Sequence, residues 1–346
     1  MFRSGDKIIY PDPDWLREQP DRFGISEERS RRFHQFLKQN GGEDWIAIII
    51  KSGSLIFEGC GPSAYPKQWR DFGSILKPLQ ATVLGAALLQ GKLKSLDEDA
   101  LPYWKEAYQT SFENDRRISF RQFAHFKDCW NRPEAPGTYY YNNSGATAAG
   151  ECIAGLFTDV RGSKSKKISE IAKKEVMEKI GAQWHLWHWD LDFDPVNSGN
   201  PGPRMVLESD VYELAKLGYL WLRQGQWGEQ RIFSKQYYRE AVTDGSPQTN
   251  NRNSNFAGHY GYWWFVNQEQ MLFPDIPADA FYHTGNGNPQ WASILLVIPS
   301  QETVAVMSMR RISDLGQWDV ISNARGVNPD GPRRFAKAVV DLVHPE

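Results

Sequence analysis

A serine and a lysine stand three residues apart in Ser74-Ile75-Leu76-Lys77, a spacing that suits nucleophilic catalysis. A serine hydroxyl is a weak nucleophile at neutral pH unless a base lies within hydrogen-bond reach of its oxygen. If this segment is helical, Ser74 and Lys77 share one helix face, and the lysine amine lies above the hydroxyl. Lys77 then needs a lowered pKa, which burial or a neighbouring cation produces. The pair predicts a serine that its substrate acylates.

A second Ser-x-x-Lys, Ser163-Lys164-Ser165-Lys166, has the same spacing, and about one such motif is expected by chance in a chain of this length. It lies in a polar stretch, where a lysine stays hydrated and protonated. Ser74 instead precedes an apolar run that predicts a buried helix, and the unpaired N–H groups at the start of that helix are able to bind an oxyanion. The simpler alternative is that Ser74 only caps the helix.

Tyrosine and asparagine are concentrated in the turn-rich residues 136–145, which precede a predicted helix. Tyr141 and Asn143 place a phenol and an amide two residues apart, so that both are able to reach one bound amide or ester. The phenol suits proton transfer in such a site. Tyr140 and Asn142 fit the same Tyr-x-Asn pattern one residue earlier and form the alternative pair.

A third polar cluster, His283-Thr284-Gly285-Asn286, comes shortly before a strand predicted from residue 293. Glycine permits close backbone approach, and an edge strand offers its N–H groups to a substrate carbonyl oxygen. We expect the polar side chain of His283 to lie beside those N–H groups. Taken alone, the cluster is better explained by a loop histidine without function.

The elements that must position these residues begin with a helix and a hairpin near the N-terminus. Ser26 and Glu28 open a helix-forming run that ends before Gly41. Residues 45–50 and 55–57 are two apolar strands around a short Gly-containing connection. Their unbroken apolar character predicts burial on both faces of a sheet.

The C-terminal end mirrors this arrangement. Residues 293–298 and 303–309 predict a second hairpin, and residues 333–343 predict an amphipathic helix. We therefore predict an α+β fold in which an antiparallel sheet is flanked by N- and C-terminal helices.

The middle of the chain has helical periodicity and predicts an inserted, mostly helical subdomain. The change of period sets the predicted boundaries: residues 1–75 and 250–346 form one α/β domain from both chain ends, and residues 76–249 form the insertion. The active site is expected between them. The helices predicted in the insertion cover residues 78–90, 145–156, 168–180 and 209–224.

Composition excludes several classes of partner. The 40 Lys and Arg residues nearly balance the 42 Asp and Glu residues, which leaves a formal net charge of −2 and no field to attract nucleic acid. No apolar run reaches the roughly 18 residues that span a bilayer. The three cysteines fit neither a disulfide framework nor a zinc site. We expect a small-molecule or short-peptide substrate, and a cytoplasmic chain as given, or a periplasmic or secreted one if a leader has been removed.

The three motifs occur in the order Ser-x-x-Lys, Tyr-x-Asn and His-Thr-Gly, and in this order the chain resembles the serine β-lactamase and penicillin-binding protein superfamily. The likeness is greatest to the class C and esterase branch and runs from about Ser26 to the C-terminus. Further segments that resemble this branch are Gly91-Lys92-Leu93-Lys94-Ser95-Leu96-Asp97-Glu98, Pro136-Gly137-Thr138, the helix at residues 209–220 and Gly225-Gln226-Trp227-Gly228.

The resemblance implies a role for each motif residue. Ser74 is the expected nucleophile, Lys77 its activating partner and Tyr141 the acid and base that serves the leaving group. Asn143 is the expected ligand of a substrate amide. The N–H groups of Ser74 and Asn286 are the expected oxyanion hole, and the substrate-binding strand carries His283, Thr284 and Gly285.

The third motif departs from the usual β-lactamase pattern, because His283 stands where those enzymes carry lysine. In the superfamily this variant accompanies D-specific peptidases, aminopeptidases and esterases, so we predict hydrolysis of a small amide or ester without a cofactor. Two alternatives stay open: an acyltransferase on the same scaffold, and a non-catalytic module that binds peptides.

Aromatic and ionisable residues crowd together in residues 184–192. Two histidines three apart and nearby carboxylates are able to bind zinc, but the serine mechanism needs no metal. We therefore predict an aromatic wall or lid over the site, with Trp263 and Trp264 facing it.

Overall fold

The computed structural model describes residues 8–104, 112–132, 135–137, 139–158, 167–189, 193–194, 200–201, 204–245, 259–288, 290–310 and 330–344. The α-helices are α1 (Glu27–Asn40), α2 (Leu76–Leu89), α3 (Phe120–Ala124), α4 (Asn143–Leu156), α5 (Ile168–Ala172), α6 (Val211–Leu222), α7 (Lys235–Ala241) and α8 (Asp330–Val343). A π-helical turn, Lys173–Met177, continues α5.

The strands are β1 (Leu16–Arg17), β2 (Trp45–Lys51), β3 (Ser54–Cys60), β4 (Arg70–Asp71), β5 (His185–Trp189), β6 (Phe193–Asp194), β7 (Asn200–Pro201), β8 (Arg204–Ser209), β9 (Gln226–Trp227), β10 (Gln230–Arg231), β11 (Phe265–Val266), β12 (Phe281–Gly287), β13 (Trp291–Ile298) and β14 (Thr303–Arg310).

A seven-stranded sheet joins the two ends of the chain. Its order is β1-β3-β2-β14-β13-β12-β11, and every pairing is antiparallel except that of β1 with β3. The junction is made by β2 and β14, where Ile48 lies opposite Val306. The predicted α+β fold with an antiparallel sheet is confirmed.

Both predicted hairpins are present, and their turns follow from local chemistry. Ser52 and Gly53 join β2 to β3 with φ values of 52° and 86°. A two-residue turn with positive φ at both positions matches the right-handed twist of the strands, and glycine adopts it without strain. A single 3-10 turn, Pro299–Gln301, joins β13 to β14.

Helices cover both faces of this sheet. Phe33 of α1 packs edge-on against Phe57 of β3 with ring centroids 4.8 Å apart, and it also contacts Phe335 of α8. On the other face, α6 contacts β13 and β14 so closely that a Cβ on Gly218 would lie 2.7 Å from the Val304 side chain. This arrangement explains the unbroken burial of residues 45–50, since each strand face meets a helix.

The middle of the chain supplies the remaining helices and also a small sheet that the helical periodicity does not predict. Its strand order is β4-β8-β5, with Asp71 of β4 opposite Glu208 of β8. The Phe72 N–H continues this pairing by donating to the Leu207 carbonyl. The small sheet therefore anchors the backbone immediately before Ser74. The domain boundaries near residues 75 and 250 stay a prediction.

Two further observations bear on the composition. Within the described ranges, no helix has the length and apolarity required to cross a membrane. Cys60, Cys129 and Cys152 are free thiols, of which the last two are buried.

Candidate active site

Ser74 lies at the entrance of a buried helix. A 3-10 turn, Gly73–Ile75, leads directly into α2, so Ser74 and Lys77 share one face. The Lys77 Nζ donates to the Ser74 Oγ at 2.9 Å. Pro78 is the third residue of α2, where the missing proline N–H breaks no helical hydrogen bond. The chain therefore brings an amine to a serine hydroxyl within one helical turn.

The surroundings of Lys77 oppose its charge. Its side chain is only 4% exposed, and burial lowers the pKa of the Lys77 amine well below its usual value of 10.5. The positive charge of Arg204 lowers the pKa of Lys77 further. Both causes favour a neutral amine, which is the form that accepts a proton from a hydroxyl.

Tyr141 and Asn143 meet the same pair of side chains. The Asn143 Oδ1 accepts a hydrogen bond from the Lys77 Nζ at 2.9 Å. The Lys77 Nζ also lies 4.9 Å from the centre of the Tyr141 ring. The Tyr141 hydroxyl forms a side-chain hydrogen bond with Ser74, and burial raises the pKa of this phenol above its usual value of 10. Tyr141 is thus a protonated phenol next to the serine oxygen.

The alternative pair, Tyr140 and Asn142, lies in a different environment. The Arg132 guanidinium stacks on the Tyr140 ring, 3.4 Å from its centre. Asn142 is buried and donates from its Nδ2 to the Asp128 Oδ1 at 3.1 Å. Of the two Tyr-x-Asn pairs, Tyr141 with Asn143 is the one beside Ser74.

A buried carboxyl group positions the start of α4. Asp128 accepts from the Trp130 N–H and from Asn142, which is the N-cap residue of this helix. A Cβ at Gly145 would lie 2.3 Å from the Asp128 Oδ1, so only glycine leaves room for the carboxyl group there. Burial raises the pKa of Asp128 to about 7. The contacts of Asp128 with Asn142 and Gly145 therefore fix the start of α4, and with it the positions of Tyr141 and Asn143.

Three glycines allow β12 to approach the serine backbone. A Cβ at Gly73 would lie 2.2 Å from the Asn286 carbonyl oxygen, and one at Gly285 would lie 1.8 Å from the Phe72 carbonyl oxygen. Gly287 has the same close contact with the Asp71 carbonyl oxygen. Asn286 therefore lies beside Ser74, and both line one cavity.

Asp71 ties these two backbone segments together. Its Oδ1 accepts from the Gly73 N–H at 2.7 Å, and its Oδ2 accepts from the Asn288 N–H at 2.8 Å. The carboxylate thus bridges the turn that carries Ser74 and the end of β12. It therefore fixes the distance between two backbone segments, the one just before Ser74 and the one just after Asn286.

His283 differs from its expected place at the substrate. Its side chain is fully buried; its Nδ1 lies 2.6 Å from the Thr284 carbonyl oxygen, and its Nε2 lies 3.0 Å from the Tyr260 hydroxyl. Because a carbonyl oxygen only accepts, the Nδ1 carries the proton and the Nε2 accepts from Tyr260. Burial lowers the pKa of His283 well below 6.5. The imidazole is neutral and both of its nitrogens are hydrogen-bonded, so it supports β12 from the core. His283, Thr284 and Gly285 are not among the described residues that line the cavity.

The cavity beside Ser74 has a volume of about 190 Å³. Lys77 lines it together with Asn143 of α4, Arg204 of β8 and Trp189 of β5. Trp189 is the residue of the described segment 184–189 that lines the cavity, and the aromatic wall or lid stays a prediction. The remaining lining residues that the structure describes are Asp71, Gly73, Leu76, Gln80, Ala146, Thr147, Glu151, Ile168, Met205, Val206, Asn286, Gly287 and Asn288.

Trp263 and Trp264 do not face the cavity; the prediction was wrong because both side chains are fully buried in the core. Trp264 packs against Trp221 and Phe281 there. The described portion of the chain contains no cluster of His, Cys, Asp or Glu able to hold a metal ion. Asp190 and Asp192 lie outside the described residues, as does the second Ser-x-x-Lys at residues 163–166.

Sequence reasoning missed three residues of this site. Asp71 stands only three positions before Ser74, yet a carboxylate before a helix has no distinctive pattern. Arg204 reaches the cavity through the pairing of β8 with β4, which joins segments more than a hundred positions apart. Tyr260 reaches His283 through tertiary packing alone. No motif marks any of the three.

Comparison with known proteins supplies an independent result. The sequence model of the Beta-lactamase family matches residues 30–315. Among curated proteins, no sequence matches the chain.

Solved structures share the fold over nearly the whole chain. A penicillin-binding protein homologue from Caulobacter crescentus is similar with a TM-score of 0.63 and 14% identity, covering 96% of this chain and 99% of its own. A class C β-lactamase from Rhodobacter sphaeroides has a TM-score of 0.60 and 14% identity, with 92% and 99% covered. A D-stereospecific amidohydrolase from Streptomyces sp. has a TM-score of 0.59 and 13% identity, with 82% and 94% covered.

Proposed function

The chain belongs to the Beta-lactamase family, whose members are serine hydrolases, and on this premise we propose that it hydrolyses a small amide or ester through an acyl-enzyme on Ser74. This membership confirms the resemblance inferred from the three motifs. The observation that carries the proposal is the 2.9 Å contact between the Lys77 Nζ and the Ser74 Oγ, made by an amine whose pKa burial holds well below its usual value.

The acylation step follows from the protonation states of three side chains. The Ser74 Oγ attacks the substrate carbonyl carbon while its proton passes to the neutral Lys77 amine. The bond from that carbon to the leaving group then breaks, and the leaving atom takes a proton from the Tyr141 phenol. Return of the Lys77 proton to Tyr141 restores both groups. The raised pKa of Tyr141 suits this order, because it keeps the phenol protonated until the leaving group needs the proton.

Charge develops on the carbonyl oxygen during this step. We assign its stabilisation to the backbone N–H groups of Ser74 and Asn286, on the argument that β12 lies against the turn carrying Ser74. Beyond the two residues that face β11, no described strand covers the outer edge of β12. His283 supports this strand from the core, and Asn143 is the proposed ligand for a polar group of the substrate.

Water completes the cycle. It attacks the acyl carbon, loses a proton to the same base system, and releases the acid as the Ser74 oxygen regains its proton. The Streptomyces protein that shares this fold is a D-stereospecific amidohydrolase, which supports an amide as one of the two substrate classes proposed. We propose that the substrate of this chain is small, because a cavity of about 190 Å³ is smaller than the roughly 300–1,000 Å³ of most ligand pockets.

Labelling with a fluorophosphonate tests the nucleophile, since this reagent forms a stable adduct with an activated serine. Intact-mass spectrometry is expected to find one adduct on the wild type and none on Ser74→Ala. Ser163→Ala, which alters the other Ser-x-x-Lys, is the matched control and is expected to label normally. A Ser74→Ala protein that still labels contradicts the proposal.

The role of Lys77 is tested separately. We expect Lys77→Ala to keep the fold, as judged by circular dichroism, and to lose turnover of p-nitrophenyl esters. Substantial residual activity in a folded Lys77→Ala protein excludes this amine as the base.

A further inference from the structure

The cavity beside Ser74 extends along one face of α4. Asn143, Thr147 and Glu151 line it at intervals of four residues, which places them on one side of the helix. At a rise of 1.5 Å per residue, Glu151 lies about 12 Å beyond Asn143 along the helix axis. Tyr141 precedes the first residue of α4 and does not line the cavity. The cavity therefore runs away from Tyr141.

This direction separates the two halves of a substrate. In the proposed mechanism Tyr141 gives its proton to the leaving group, so the leaving group lies on the side of the phenol. The acyl group is attached to the opposite side of the carbonyl carbon. The cavity consequently receives the acyl group.

Arg204 is the cation available in this cavity. Of the lining residues that the structure describes, only Lys77 and Arg204 are able to carry a positive charge, and Lys77 acts as a neutral base in the proposed mechanism. Arg204 is half-buried. Its charge affects both Lys77 and Tyr141, which places it within electrostatic reach of the reacting groups. The neutral His283 supplies no competing charge from β12.

In the described part of the chain, Arg204 is half-buried and yet has no carboxylate partner. Across the described ranges, no ion pair involves its guanidinium, which lies 5.9 Å from the centre of the Trp189 ring. Two carboxylates are among the described lining residues of the cavity, Asp71 and Glu151. Both oxygens of Asp71 accept hydrogen bonds from backbone N–H groups. Three other buried or half-buried arginines have carboxylate partners: Arg70 with Asp44, Arg121 with Asp97 and Glu240, and Arg223 with Glu302. The half-buried Arg231 instead donates to the backbone carbonyl oxygens of Gln224 and Phe233.

We propose that Arg204 binds a carboxylate carried by the acyl group of the substrate, so that the enzyme prefers monoesters or monoamides of short dicarboxylic acids. The inference rests on the proposed function. A planar guanidinium fork matches a carboxylate in a bidentate contact and gains most where water is partly excluded. The small volume of the cavity restricts the acyl chain to a few carbons.

The test uses two pairs of esters, each of which consists of a carboxylate and its neutral methyl ester. The first pair, p-nitrophenyl hydrogen glutarate and its methyl ester, carries the charge in the acyl group. The second pair, 4-acetoxybenzoate and its methyl ester, carries it in the leaving group. Since a hydrogen bond to a charged group contributes about 1.5–3 kcal/mol, we expect the wild-type kcat/KM to favour the charged glutarate by about tenfold to a hundredfold, with no such preference in the second pair.

Arg204→Gln is the test variant, and Arg32→Gln, which changes an exposed arginine of α1, is the matched control. Because Arg204 also acts on Lys77, the readout is the ratio of kcat/KM values within each pair, from which any general loss of activity cancels. We expect Arg204→Gln to abolish the glutarate preference and Arg32→Gln to keep it. Equal rates for the two glutarates in the wild type, a preference that survives in Arg204→Gln, or a preference confined to the second pair overturns the inference while the hydrolase proposal stands.

A binding measurement separates this inference from catalysis. Calorimetry on Ser74→Ala is expected to find tighter binding of glutaramate, which is anionic, than of neutral glutaramide, and no difference once Arg204→Gln is added. If no ester is turned over, the proposed function fails, and this titration still decides whether Arg204 forms an anion site. Equal affinities for the two ligands exclude it.

Discussion

The carboxylate of Asp71 offers a sharp test of how the proposed oxyanion hole is positioned. Asp71→Asn keeps the shape of the side chain but replaces one oxygen with an NH2 group. Both carboxylate oxygens accept from backbone N–H groups, those of Gly73 and Asn288. Whichever way the new amide turns, a donor faces a donor, and one of the two bridges is lost.

The magnitude follows from these contacts. Asp71 is 8% exposed, so water does not readily replace the hydrogen bond that the backbone N–H loses. Losing a hydrogen bond to a charged group lowers the free energy of unfolding by about 1.5–3 kcal/mol. Removing one oxyanion donor outright lowers kcat by roughly 10²- to 10³-fold in serine proteases. Here the donor is displaced rather than removed, so we expect kcat to fall by about tenfold to a hundredfold and KM to change less.

The assay combines stability and kinetics. Urea unfolding gives the free-energy change, and kcat and KM for p-nitrophenyl butyrate are measured where the variant is fully folded. Asp14→Asn is the matched control, because the Asp14 side chain is 80% exposed and its ion pair with Lys67, at 3.5 Å, lies on the surface. If Asp71→Asn loses stability yet keeps the wild-type kcat, the carboxylate stabilises the fold without positioning the oxyanion hole, and the reasoning is refuted.

Three further predictions follow from buried polar groups of the site. Tyr260→Phe leaves the buried Nε2 of His283 without its donor, so urea unfolding is expected to find a loss of about 1–3 kcal/mol; an unchanged stability contradicts this. Burial raises the pKa of Asp128 from 3.8 to about 7, so the folded chain keeps a proton that the unfolded chain releases. The stability of the wild type relative to Asp128→Asn should therefore fall by about 2 kcal/mol between about pH 5 and pH 7; a difference that does not change with pH contradicts the assignment. Activity should rise with pH as Lys77 loses its proton, and Arg204→Gln, which removes a charge that lowers the Lys77 pKa, should move this rise to higher pH; a shift to lower pH excludes the electrostatic link.

Local patterns account for the features that were predicted well. The apolar runs at β2, β3, β13 and β14 and the turn residues between them predict both hairpins because strand pairing across a short turn is a local event. The Ser74–Lys77 contact is equally local, since a single helical turn brings the two side chains together. Neither feature depends on a distant part of the chain.

Long-range packing accounts for the features that were missed. Arg204 enters the cavity because β8 pairs with β4, and no periodicity connects two short strands so far apart in sequence. His283 was expected at the substrate from its motif, but its side chain enters the core, where Tyr260 bonds it. Which face of a strand points inward depends on the sheet it joins, and the pattern around His283 does not determine that.

The most direct test of the central claim is the mass of the enzyme during turnover. We propose acid-quenching the protein in the steady state with p-nitrophenyl butyrate and mapping its peptides by mass spectrometry. We expect a butyryl group on Ser74 that disappears once the substrate is consumed. Continued turnover without an acyl group on any peptide, or an acyl group on a residue other than Ser74 that forms and decays at the rate of turnover, contradicts the claim.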